Sequence, residues 1–427
     1  MSSSLHEEML QLARQAKSAS RALALLTTPE KNLCLEAMAA ALMENSEGIK
    51  AANALDMEAA TLAGLSTSML DRLRLDDKRI ENMARALGEV EQLPDPVGRT
   101  LDERVRPNGL RLQKIATPIG VVVIIYESRP NVTADAASLC FKSGNATILR
   151  GGREALHSNT IISSVMVSAA RAALTKFPEH AIQVVQTTDR EAIRELLSLT
   201  QYVDLCMPRG GEGLIRAVTE CSKVPVIKHY KGVCHVYVDC AADLEMASRI
   251  VINAKVQRPA VCNAMETLLV HENLAEKFLP AVAAHLAASK VAIHADTAAA
   301  TILTPSFAAN LQPVSEQNWS TEYNDYEMNV KVVSGLREAV DHINHYGSGH
   351  SDAIITGDIS SAKKFLAEVD SAAVYWNAST RFTDGGEFGM GAEIGISTDK
   401  IGARGPMGLE ELTTYKWLGF GDGQIRS

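Results

Sequence analysis

The spacing of apolar residues divides the chain into a helical first part and a longer part in which strands and helices alternate. Over the first hundred residues, leucine, alanine and methionine recur every three or four positions, which is typical of amphipathic helices. Farther along, short runs rich in valine and isoleucine alternate with segments of helical periodicity. The predicted strands lie at residues 120–126, 146–150, 182–186, 203–207, 225–229 and 235–239, followed by a second set at 266–271, 329–333, 352–356 and 372–377. This alternation predicts an α/β fold with mostly parallel sheets in two domains.

Two segments depart from the alternation. Residues 105–119 contain Asn108-Gly109 between two alternating runs, which predicts a β-hairpin. The last stretch, LTTYKWLGFG within residues 405–427, alternates like a strand but has no helix after it. Because exposed strand edges of this kind pair readily with other chains, we expect the two segments to join copies of the chain into a homo-oligomer.

Composition and charge narrow the classes of function. The formal net charge of −9 argues against a nucleic-acid partner, since a phosphate backbone needs a clustered basic face. No apolar run approaches the roughly 18 residues of a membrane span, and the amino-terminal segment lacks the apolar core of a secretory signal. We therefore expect no membrane association and a cytoplasmic location. The seven cysteines show no CxxC pair or zinc-type spacing, which agrees with a reducing compartment and predicts no metal site.

A glycine-rich turn, MPRGGEGL in residues 207–214, is the first candidate for nucleotide binding. It lies between a predicted strand and a predicted helix. Glycines there would let a diphosphate approach the unpaired N–H groups at the amino terminus of the helix. Pro208, Gly210 and Gly211 are therefore candidate cofactor residues, and the alternative is an ordinary tight turn.

The motif RGGR, residues 150–153, is the second candidate. It follows the strand at 146–150 and contributes Arg150, Gly151 and Gly152. In dinucleotide-binding sheets, an acidic residue at such a strand end holds the ribose hydroxyls of NAD, whereas an arginine accommodates the 2′-phosphate of NADP. The motif thus favours NADP. The alternative is that Arg150 is a solvated surface residue.

Cys262 is the candidate nucleophile. It lies in a polar, proline-containing loop, AKVQRPAVCNAMET, between a predicted helix and a predicted strand. Lys255 and Arg258 are close in sequence and would favour its thiolate, whereas the other cysteines are expected to be structural. The histidines of HINHYGSGHSD, residues 342–352, do not predict a metal site, because His342 and His345 share one face of a helix and no third ligand is evident.

Five long segments, in matching order, carry a resemblance to a known family. They are IGVVVIIYESRPNVTADAASLCFKSGNATILRGG, VQRPAVCNAMETLLVH, HSDAIIT, NASTRFTDGGEFGMGAEIG and ARGPMGLEELTTYKW. Together they resemble the gamma-glutamyl phosphate reductases, which are the glutamate-5-semialdehyde dehydrogenases of proline biosynthesis within the aldehyde dehydrogenase superfamily. The resemblance covers essentially the whole chain.

The resemblance implies an NADP-dependent, phosphorylating aldehyde dehydrogenase with an aldehyde-dehydrogenase-like α/β fold. Its expected reaction reduces L-glutamyl 5-phosphate to L-glutamate 5-semialdehyde and phosphate with NADPH, through a thioester on Cys262. Glutamate 5-kinase, which would supply this substrate, is an expected partner. The implied domains are an NADPH-binding domain of residues 1–104 and 120–248, a catalytic domain of residues 249–385, and a β-strand oligomerisation element of residues 105–119 and 405–427.

The resemblance also implies roles for individual residues. Glu327 resembles the carboxylate that aldehyde dehydrogenases direct toward the nicotinamide ribose, and its alternative role is that of a surface carboxylate. The expected substrate-binding residues are Arg129, Asn131, Arg258 and Arg381. His229 occupies the position at which hydrolytic family members carry a water-activating glutamate. Two other functions stay open at this point: a hydrolytic aldehyde dehydrogenase and a catalytically silent scaffold.

Overall fold

The computed structural model describes residues 2–426 and forms two compact units. The first unit runs from the amino-terminal helices to Lys228 and includes Gly389–Gly395 and the segment from Met407 onward. The second comprises His229–Phe388 and Ile396–Pro406. Among the helices in the described range, none is long and apolar enough to cross a membrane.

The first unit begins with five helices, as the periodicity of the first hundred residues predicts. They are α1 (Ser2–Leu23), α2 (Thr28–Glu44), α3 (Ser46–Leu62), α4 (Thr67–Leu73) and α5 (Asp77–Gln92). The start of α2 is fixed by Glu30, whose carboxylate accepts the Thr27 backbone N–H at 2.8 Å. Their apolar faces supply much of the core of this unit.

An antiparallel sheet combines two strands that follow the helices in sequence with one strand from near the carboxyl terminus. It consists of β1 (Thr100–Val105), β2 (Arg111–Pro118) and β16 (Thr413–Phe420), in the order β1-β2-β16. The predicted hairpin is confirmed: β1 pairs with β2 across a turn in which Gly109 has a φ of +85°. The predicted carboxy-terminal strand is confirmed as well, and it pairs along the whole length of β2.

The remaining strands of the first unit form a parallel sheet of four, in the order β5-β4-β3-β6. Its elements are β3 (Val121–Tyr126), α6 (Asn131–Lys142), β4 (Ala146–Arg150), α7 (Leu156–Ala173), β5 (Ile182–Val184), α8 (Glu191–Ser198), β6 (Leu205–Arg209) and α9 (Glu212–Cys221). Counted along the chain, this is the 3-2-1-4 order of a Rossmann-type half. The direction of winding reverses between β3 and β6, so the carboxyl ends of these two strands form the switch point where nucleotides bind in such sheets.

The second unit contains a parallel sheet of seven strands, in the order β10-β9-β11-β8-β7-β12-β13. The elements are β7 (Cys234–Val238), α10 (Leu244–Val256), β8 (Met265–His271), α11 (Glu272–Ala288), β9 (Ala292–Ala295), α12 (Thr297–Phe307), β10 (Leu311–Pro313), β11 (Glu327–Val333), α13 (Leu336–Tyr346), β12 (Ser351–Ile355), α14 (Ile359–Glu368) and β13 (Ala373–Trp376). Two further short strands, β14 (Gly395–Ser397) and β15 (Gly405–Met407), pair with each other in a separate two-stranded sheet. Apolar side chains cover both faces of the central strands.

Two predicted strands differ from the structure. Residues 225–229 do not form a strand; Val226 makes one isolated bridge to Cys206. Residues 234–238 form β7, which pairs with β8 and β12 in the seven-stranded sheet rather than with the strands that precede it in sequence. An apolar run fixes a strand as buried, but it does not determine which sheet the strand joins.

Candidate active site

Cys262 lies in the loop between α10 and β8, where the central strands of the seven-stranded sheet begin. We call this side of that sheet its amino edge. The segment that contains His229 and Gly232 leads into β7, and His350 immediately precedes β12. Because β8, β7 and β12 are parallel neighbours, their entry segments meet at this edge. The Cys262 side chain is half-buried.

Gly232 fixes the backbone of the Cys262 loop. A Cβ atom at this position would lie 1.9 Å from the carbonyl oxygen of Cys262 and 2.5 Å from its Cα, so only glycine allows the two segments to approach this closely. On the same strand entry, the Cys234 thiol donates to the Cys262 carbonyl at 3.2 Å. The segment that leads into β7 therefore positions the candidate nucleophile.

A second segment, which includes Thr380 and Arg381, holds the other side of this loop. Thr380 Oγ1 donates to the Asn263 carbonyl at 2.8 Å, and Asn263 Nδ2 donates to the Thr383 carbonyl at 2.8 Å. The Arg381 guanidinium donates to the Asn263 side-chain oxygen and, at 2.8 Å through Nε, to Gln257. Arg381 is thereby anchored beside Cys262.

Arg258 and Arg381 give this loop a positive character. Arg381 is half-buried and Arg258 is exposed. Burial lowers the pKa of Arg381, and the nearby charge of Arg258 lowers it further. The structure therefore brings two predicted substrate residues together with the predicted nucleophile. Paired guanidinium groups suit an anionic substrate.

Lys255 forms a buried ion pair with Glu266, although its position in sequence predicts that it supports the Cys262 thiolate. Its Nζ atom lies 2.8 Å from Glu266, and both side chains are completely buried. Burial raises the pKa of Glu266 to about 7, against the lowering effect of Lys255. The charge of Lys255 is held in this buried pair, so Arg258 and Arg381, not Lys255, are the candidates for electrostatic support of a Cys262 thiolate.

Two histidines lie beside Cys262; the family resemblance points to His229, whereas the sequence does not indicate His350. The potential ligand atoms of His229, His350 and Cys262 all lie within 4.8 Å of one another. His229 Nδ1 lies 2.8 Å from the Ile396 carbonyl, which can only accept a hydrogen bond. Nδ1 of His229 therefore carries a proton and donates this bond.

His350 is oriented in the same way. Its Nδ1 atom lies 2.8 Å from Ser351 Oγ, and that hydroxyl donates onward to Thr383 Oγ1 at 2.6 Å. The basic nitrogen is then Nε2, which is buried and has no hydrogen-bond partner among the described residues. Burial, and then the neighbouring His229, lower the pKa of His350 to about 3, so that the ring is neutral at physiological pH. Neither histidine follows Cys262 closely in sequence, so no local motif could reveal the cluster.

Glu327 begins β11 at the same amino edge, but its carboxylate is already engaged. Glu327 Oε1 lies 2.5 Å from His294 Nε2, and the His294 ring stacks on Tyr323 at 5.3 Å. His294 belongs to β9, on the side of β11 that faces away from β8. Glu322, which sequence reasoning missed, is half-buried and close enough to Glu266 to raise its pKa. Glu322 is therefore a second carboxylate at this edge.

The remaining candidate cofactor residues lie in the first unit, at the carboxyl edge of the four-stranded sheet, where its strands end. Arg150 ends β4 and donates to the carbonyls of Gly151 at 3.0 Å and Thr188 at 3.2 Å. Burial lowers its pKa, and Arg190 lowers it as well. Its Nε is buried without an acceptor among the residues described, which leaves one donor for a further group.

Gly151 and Gly152 are both crowded. A Cβ on Gly151 would lie 2.0 Å from Asn159 Nδ2, and one on Gly152 would lie 2.0 Å from a Glu154 carboxylate oxygen. Asn159 belongs to a buried network in which it accepts from Thr133 at 2.9 Å. Gly151 is therefore required for the close approach of this turn to the buried network.

The second glycine turn follows β6. Pro208 is buried opposite Ile125, whereas Gly210 and Gly211 are exposed. The Gly211 N–H, at the amino terminus of α9, donates to Glu127 Oε2 at 3.0 Å, and a Cβ on Gly210 would meet the same carboxylate at 2.7 Å. This helix end thus already binds an anionic group, so a phosphate there would have to displace Glu127.

Arg129 and Asn131 follow β3 at the same carboxyl edge, and both are exposed. Asn131 Nδ2 donates to Asp135 at 2.9 Å, and burial raises the pKa of Asp135 to about 6. Arg209, at the end of β6, also lies at this carboxyl edge, and the sequence did not single it out. It acts on Asp135 electrostatically and packs so closely on Gly395 that a Cβ there would lie 2.1 Å from Nη1.

Comparison with known proteins finds relatives that cover nearly the whole chain. The family model described as "Aldehyde dehydrogenase family" matches residues 1–318. The chain is 55% identical over 413 residues to gamma-glutamyl phosphate reductase of Moorella thermoacetica, covering 97% of each chain. It is 52% identical over 419 residues to that of Persephonella marina, covering 97% of this chain and 94% of the relative. The crystal structure of gamma-glutamyl phosphate reductase from Thermotoga maritima matches with a TM-score of 0.95 and 45% identity, covering 98% of this chain and 100% of that one.

Proposed function

The chain belongs to the gamma-glutamyl phosphate reductases of the aldehyde dehydrogenase family, and on this premise we propose that Cys262 carries its reaction. The proposed reaction is the NADPH-dependent reduction of L-glutamyl 5-phosphate to L-glutamate 5-semialdehyde and phosphate, the second step of proline biosynthesis from glutamate. The observation that carries the proposal is the half-buried Cys262, held by Gly232 and placed beside neutral His350 and two arginines.

His350 lies beside the Cys262 thiol, with the two ligand atoms at most 4.8 Å apart. Its ring is held by Ser351 and, through it, Thr383, and its pKa of about 3 makes it too weak a base to hold the thiol proton at neutral pH. We propose that the thiol loses its proton to solvent and that Arg258 and Arg381 stabilise the resulting thiolate. The Cys262 thiolate then attacks the γ-carbonyl of the substrate, the bond to phosphate breaks, and a thioester remains on Cys262.

Arg258 and Arg381 are suited to bind the oxyanions of the substrate. Two guanidinium groups can hold phosphate or carboxylate in bidentate fashion and neutralise the charge of the departing phosphate. Arg129 and Asn131 remain proposed substrate residues of the first unit. Their exposure leaves both side chains accessible to a ligand.

The first unit fits NADPH at its carboxyl edge. The strand order provides a switch point, Arg150 retains a buried donor, and the charges of Arg150 and Arg190 are close enough to favour a phosphate group. Gly151 and Gly152 let the backbone approach a ligand, and the turn that contains Pro208, Gly210 and Gly211 provides a helix amino terminus. When bound, NADPH supplies the hydride that reduces the thioester. Glu327 remains the proposed residue for the nicotinamide ribose.

The hydrolytic alternative depends on activation of water beside Cys262. Hydrolytic relatives are expected to use a glutamate where this chain has His229. Here the His229 Nδ1–H is directed to the Ile396 carbonyl. We propose that phosphate, bound by the arginines, resolves the thioester in the reverse reaction.

The test of this proposal is the reduction of NADP by glutamate 5-semialdehyde with and without inorganic phosphate. We expect NADPH to form continuously only when phosphate is present, because phosphate accepts the acyl group from Cys262. Sustained turnover without phosphate would show that water resolves the thioester and would support the hydrolytic alternative. No turnover in either buffer, from folded protein, would support the scaffold.

We further propose a homo-oligomer through the three-stranded sheet. Tyr415, Trp417 and Phe420 on β16 are all exposed by 42% or more, and Lys114 on β2 lies 3.5 Å from the Tyr415 ring centroid. Both outer strands of this sheet have a free edge within the described range, which favours pairing with a second copy. Trp417→Asp should shift sedimentation toward a smaller species, and an unchanged sedimentation coefficient would contradict this interface.

A cytoplasmic location and an association with glutamate 5-kinase complete the proposal. Both follow from the biosynthetic reaction, in which a labile acyl phosphate must reach Cys262 before it hydrolyses. Transfer of the acyl phosphate without release would be detected as product formation that a competing trap in solution fails to reduce. Complete capture by the trap would contradict direct transfer.

A further inference from the structure

We propose that Cys262, His229 and His350 form a binding site for Zn²⁺, which reversibly blocks the nucleophile. A thiolate and two imidazoles are ligands that zinc prefers, and three protein ligands leave the fourth position open. Among the residues described, this is the one group of three potential metal ligands whose donor atoms lie within 4.8 Å of one another.

The separations are compatible with one bound ion after a small contraction. Zinc–sulfur bonds of about 2.3 Å and zinc–nitrogen bonds of about 2.0 Å place tetrahedral ligand atoms roughly 3.5 Å apart. Donor atoms within 4.8 Å of one another therefore need to approach by roughly 1 Å. Side-chain rotation of Cys262 and His229, which are both half-buried, can supply this movement.

Both histidines already have the outer contacts that metal-binding imidazoles make. A zinc-binding histidine usually donates its second ring N–H to a carbonyl or another acceptor, which fixes the tautomer. His229 does so to the Ile396 carbonyl at 2.8 Å, and His350 does so to Ser351 Oγ at 2.8 Å. Because Nδ1 is engaged in each ring, Nε2 is the nitrogen that would bind a metal.

His350 provides an independent indication of a ligand. Its side chain is completely buried, and Nε2 has no hydrogen-bond partner in the described part of the chain. A buried polar atom without a partner carries a free-energy cost that a bound group would remove. A metal ion bonded to Nε2 would satisfy this atom.

Occupation of the site would stop the reaction without a redox step. The Cys262 thiol would release its proton to solvent, and its sulfur would bond to zinc instead of attacking a carbonyl. Arg258 and Arg381 oppose a cation nearby, so we expect binding that a chelator reverses. The inhibition rests on the proposed function, whereas the metal binding rests on the ligand geometry alone.

Co²⁺ is the probe for the geometry, because thiolate ligation gives it a sulfur-to-cobalt charge-transfer absorption. The full chain should be titrated with Co²⁺ in phosphate-free buffer with a phosphine reductant, and Zn²⁺ should then displace the cobalt. We expect one cobalt per chain, with a charge-transfer band that Cys262→Ser removes.

His229→Gln should weaken Zn²⁺ binding by at least about tenfold, since even loss of an outer contact of a metal ligand costs about 10–100-fold. Cys240→Ser, at an exposed cysteine, is the matched control and should leave both the charge-transfer band and the affinity for Zn²⁺ unchanged.

NADP reduction by glutamate 5-semialdehyde, measured on the same protein after inorganic phosphate is added, separates the two parts of the inference. If the band forms and Zn²⁺ inhibits NADP reduction until EDTA is added, both the site and its inhibitory effect are supported. If the band forms but the wild-type protein lacks turnover without metal, the metal site stands and the proposed function fails. If Cys262→Ser and His229→Gln, both folded by circular dichroism, bind Zn²⁺ as tightly as wild type, the metal site is overturned.

Discussion

The four-stranded and the seven-stranded sheets are both parallel, yet they carry their candidate functional residues at opposite ends of their strands. In the first unit, these residues follow β3, β4 and β6 at the carboxyl edge, where α6, α7 and α9 begin. In the second unit, Arg258, Cys262 and the two histidines precede β7, β8 and β12 at the amino edge, and Arg381 donates to Asn263 there. There the preceding helices end, as α10 does at Val256 just before the Cys262 loop.

The two edges offer different chemistry. Helices that begin at a carboxyl edge present unpaired N–H groups and partial positive charge, as Gly211 does toward Glu127. Helices that end at an amino edge present carbonyl groups and partial negative charge, which disfavours a thiolate or a phosphate. Side chains must therefore provide the positive charge at Cys262, and Arg258 and Arg381 are placed to do so. Single side-chain changes should accordingly have larger effects at the amino edge of the second unit.

The largest effect is expected at the nucleophile. Cys262→Ser should lower kcat by on the order of 10⁴-fold or more, because the thioester route is lost. Steady-state NADPH assays on purified protein measure this change, with NADPH-binding fluorescence as the test of folding. Cys240→Ser, at an exposed cysteine of the same unit, is the control and should keep full activity. Comparable losses in both variants would contradict a special role for Cys262.

The next effect concerns the backbone contact that positions Cys262. Gly232→Ala places a Cβ 1.9 Å from the Cys262 carbonyl, so the loop must move. A displacement of about 1 Å in a reacting group can cost about 100-fold in rate, and we expect a loss of that size in kcat/KM. Gly88→Ala in α5, where a Cβ meets no atom within 4 Å, should instead raise stability by about 0.5–1 kcal/mol and leave kcat/KM unchanged. Wild-type kinetics in Gly232→Ala would refute the positioning role.

A smaller effect is expected at the carboxyl edge of the first unit, where backbone groups share the binding. Arg150→Ala should raise the KM for NADPH by about 10–100-fold, the equivalent of one or two charge-assisted hydrogen bonds. The KM for NADH should stay the same, since NADH lacks the 2′-phosphate. Arg171→Ala, at an exposed arginine of α7, is the matched control. Equal changes for both cofactors would assign Arg150 a structural role only.

The smallest effect concerns stability at low pH in the second unit. Burial, and then His235, lower the pKa of His342 to about 2. The unfolded chain therefore binds a proton below about pH 6.5 that the folded chain does not bind, so folding becomes less stable as the pH falls from 6.5 toward 2.

At pH 5.5 this difference amounts to about 1.4 kcal/mol for one histidine. Urea unfolding at pH 7.5 and 5.5 should therefore show a loss of stability that is smaller by about that amount in His342→Gln than in wild type. His285→Gln, at an exposed histidine of α11, is the control and should reproduce the wild-type loss. Equal losses in all three proteins would show that His342 is not held neutral in the folded state.

Local patterns were enough for most of the strands, and they singled out Cys262 as a candidate nucleophile. β3 is a run of six buried residues, and apolar and polar residues alternate in the sequence of β16, so both strands follow from periodicity. Cys262 stands out because it is a cysteine in a polar loop. By contrast, periodicity does not predict β9, β10 and α12, because their apolar runs are short or interrupted by proline.

The rest of the candidate site depends on contacts between distant parts of the chain. Gly232 and His350 reach Cys262 from the entries to β7 and β12, and only the strand order of the sheet brings the three together. Proximity in sequence was misleading for Lys255, which pairs with Glu266 instead. Residue type alone could not show that Glu127 already binds the glycine turn after β6 or that His294 binds Glu327.

The most direct test of the central claim is to trap the acyl group on the enzyme. Wild-type protein is mixed with glutamate 5-semialdehyde and excess NADP in phosphate-free buffer, quenched with acid and digested for peptide mass spectrometry. We predict one equivalent of NADPH per chain and a glutamyl thioester on the peptide that contains Cys262, which disappears when phosphate is added before the quench. NADPH formation with the adduct on another residue, or with no adduct at all, would contradict the account.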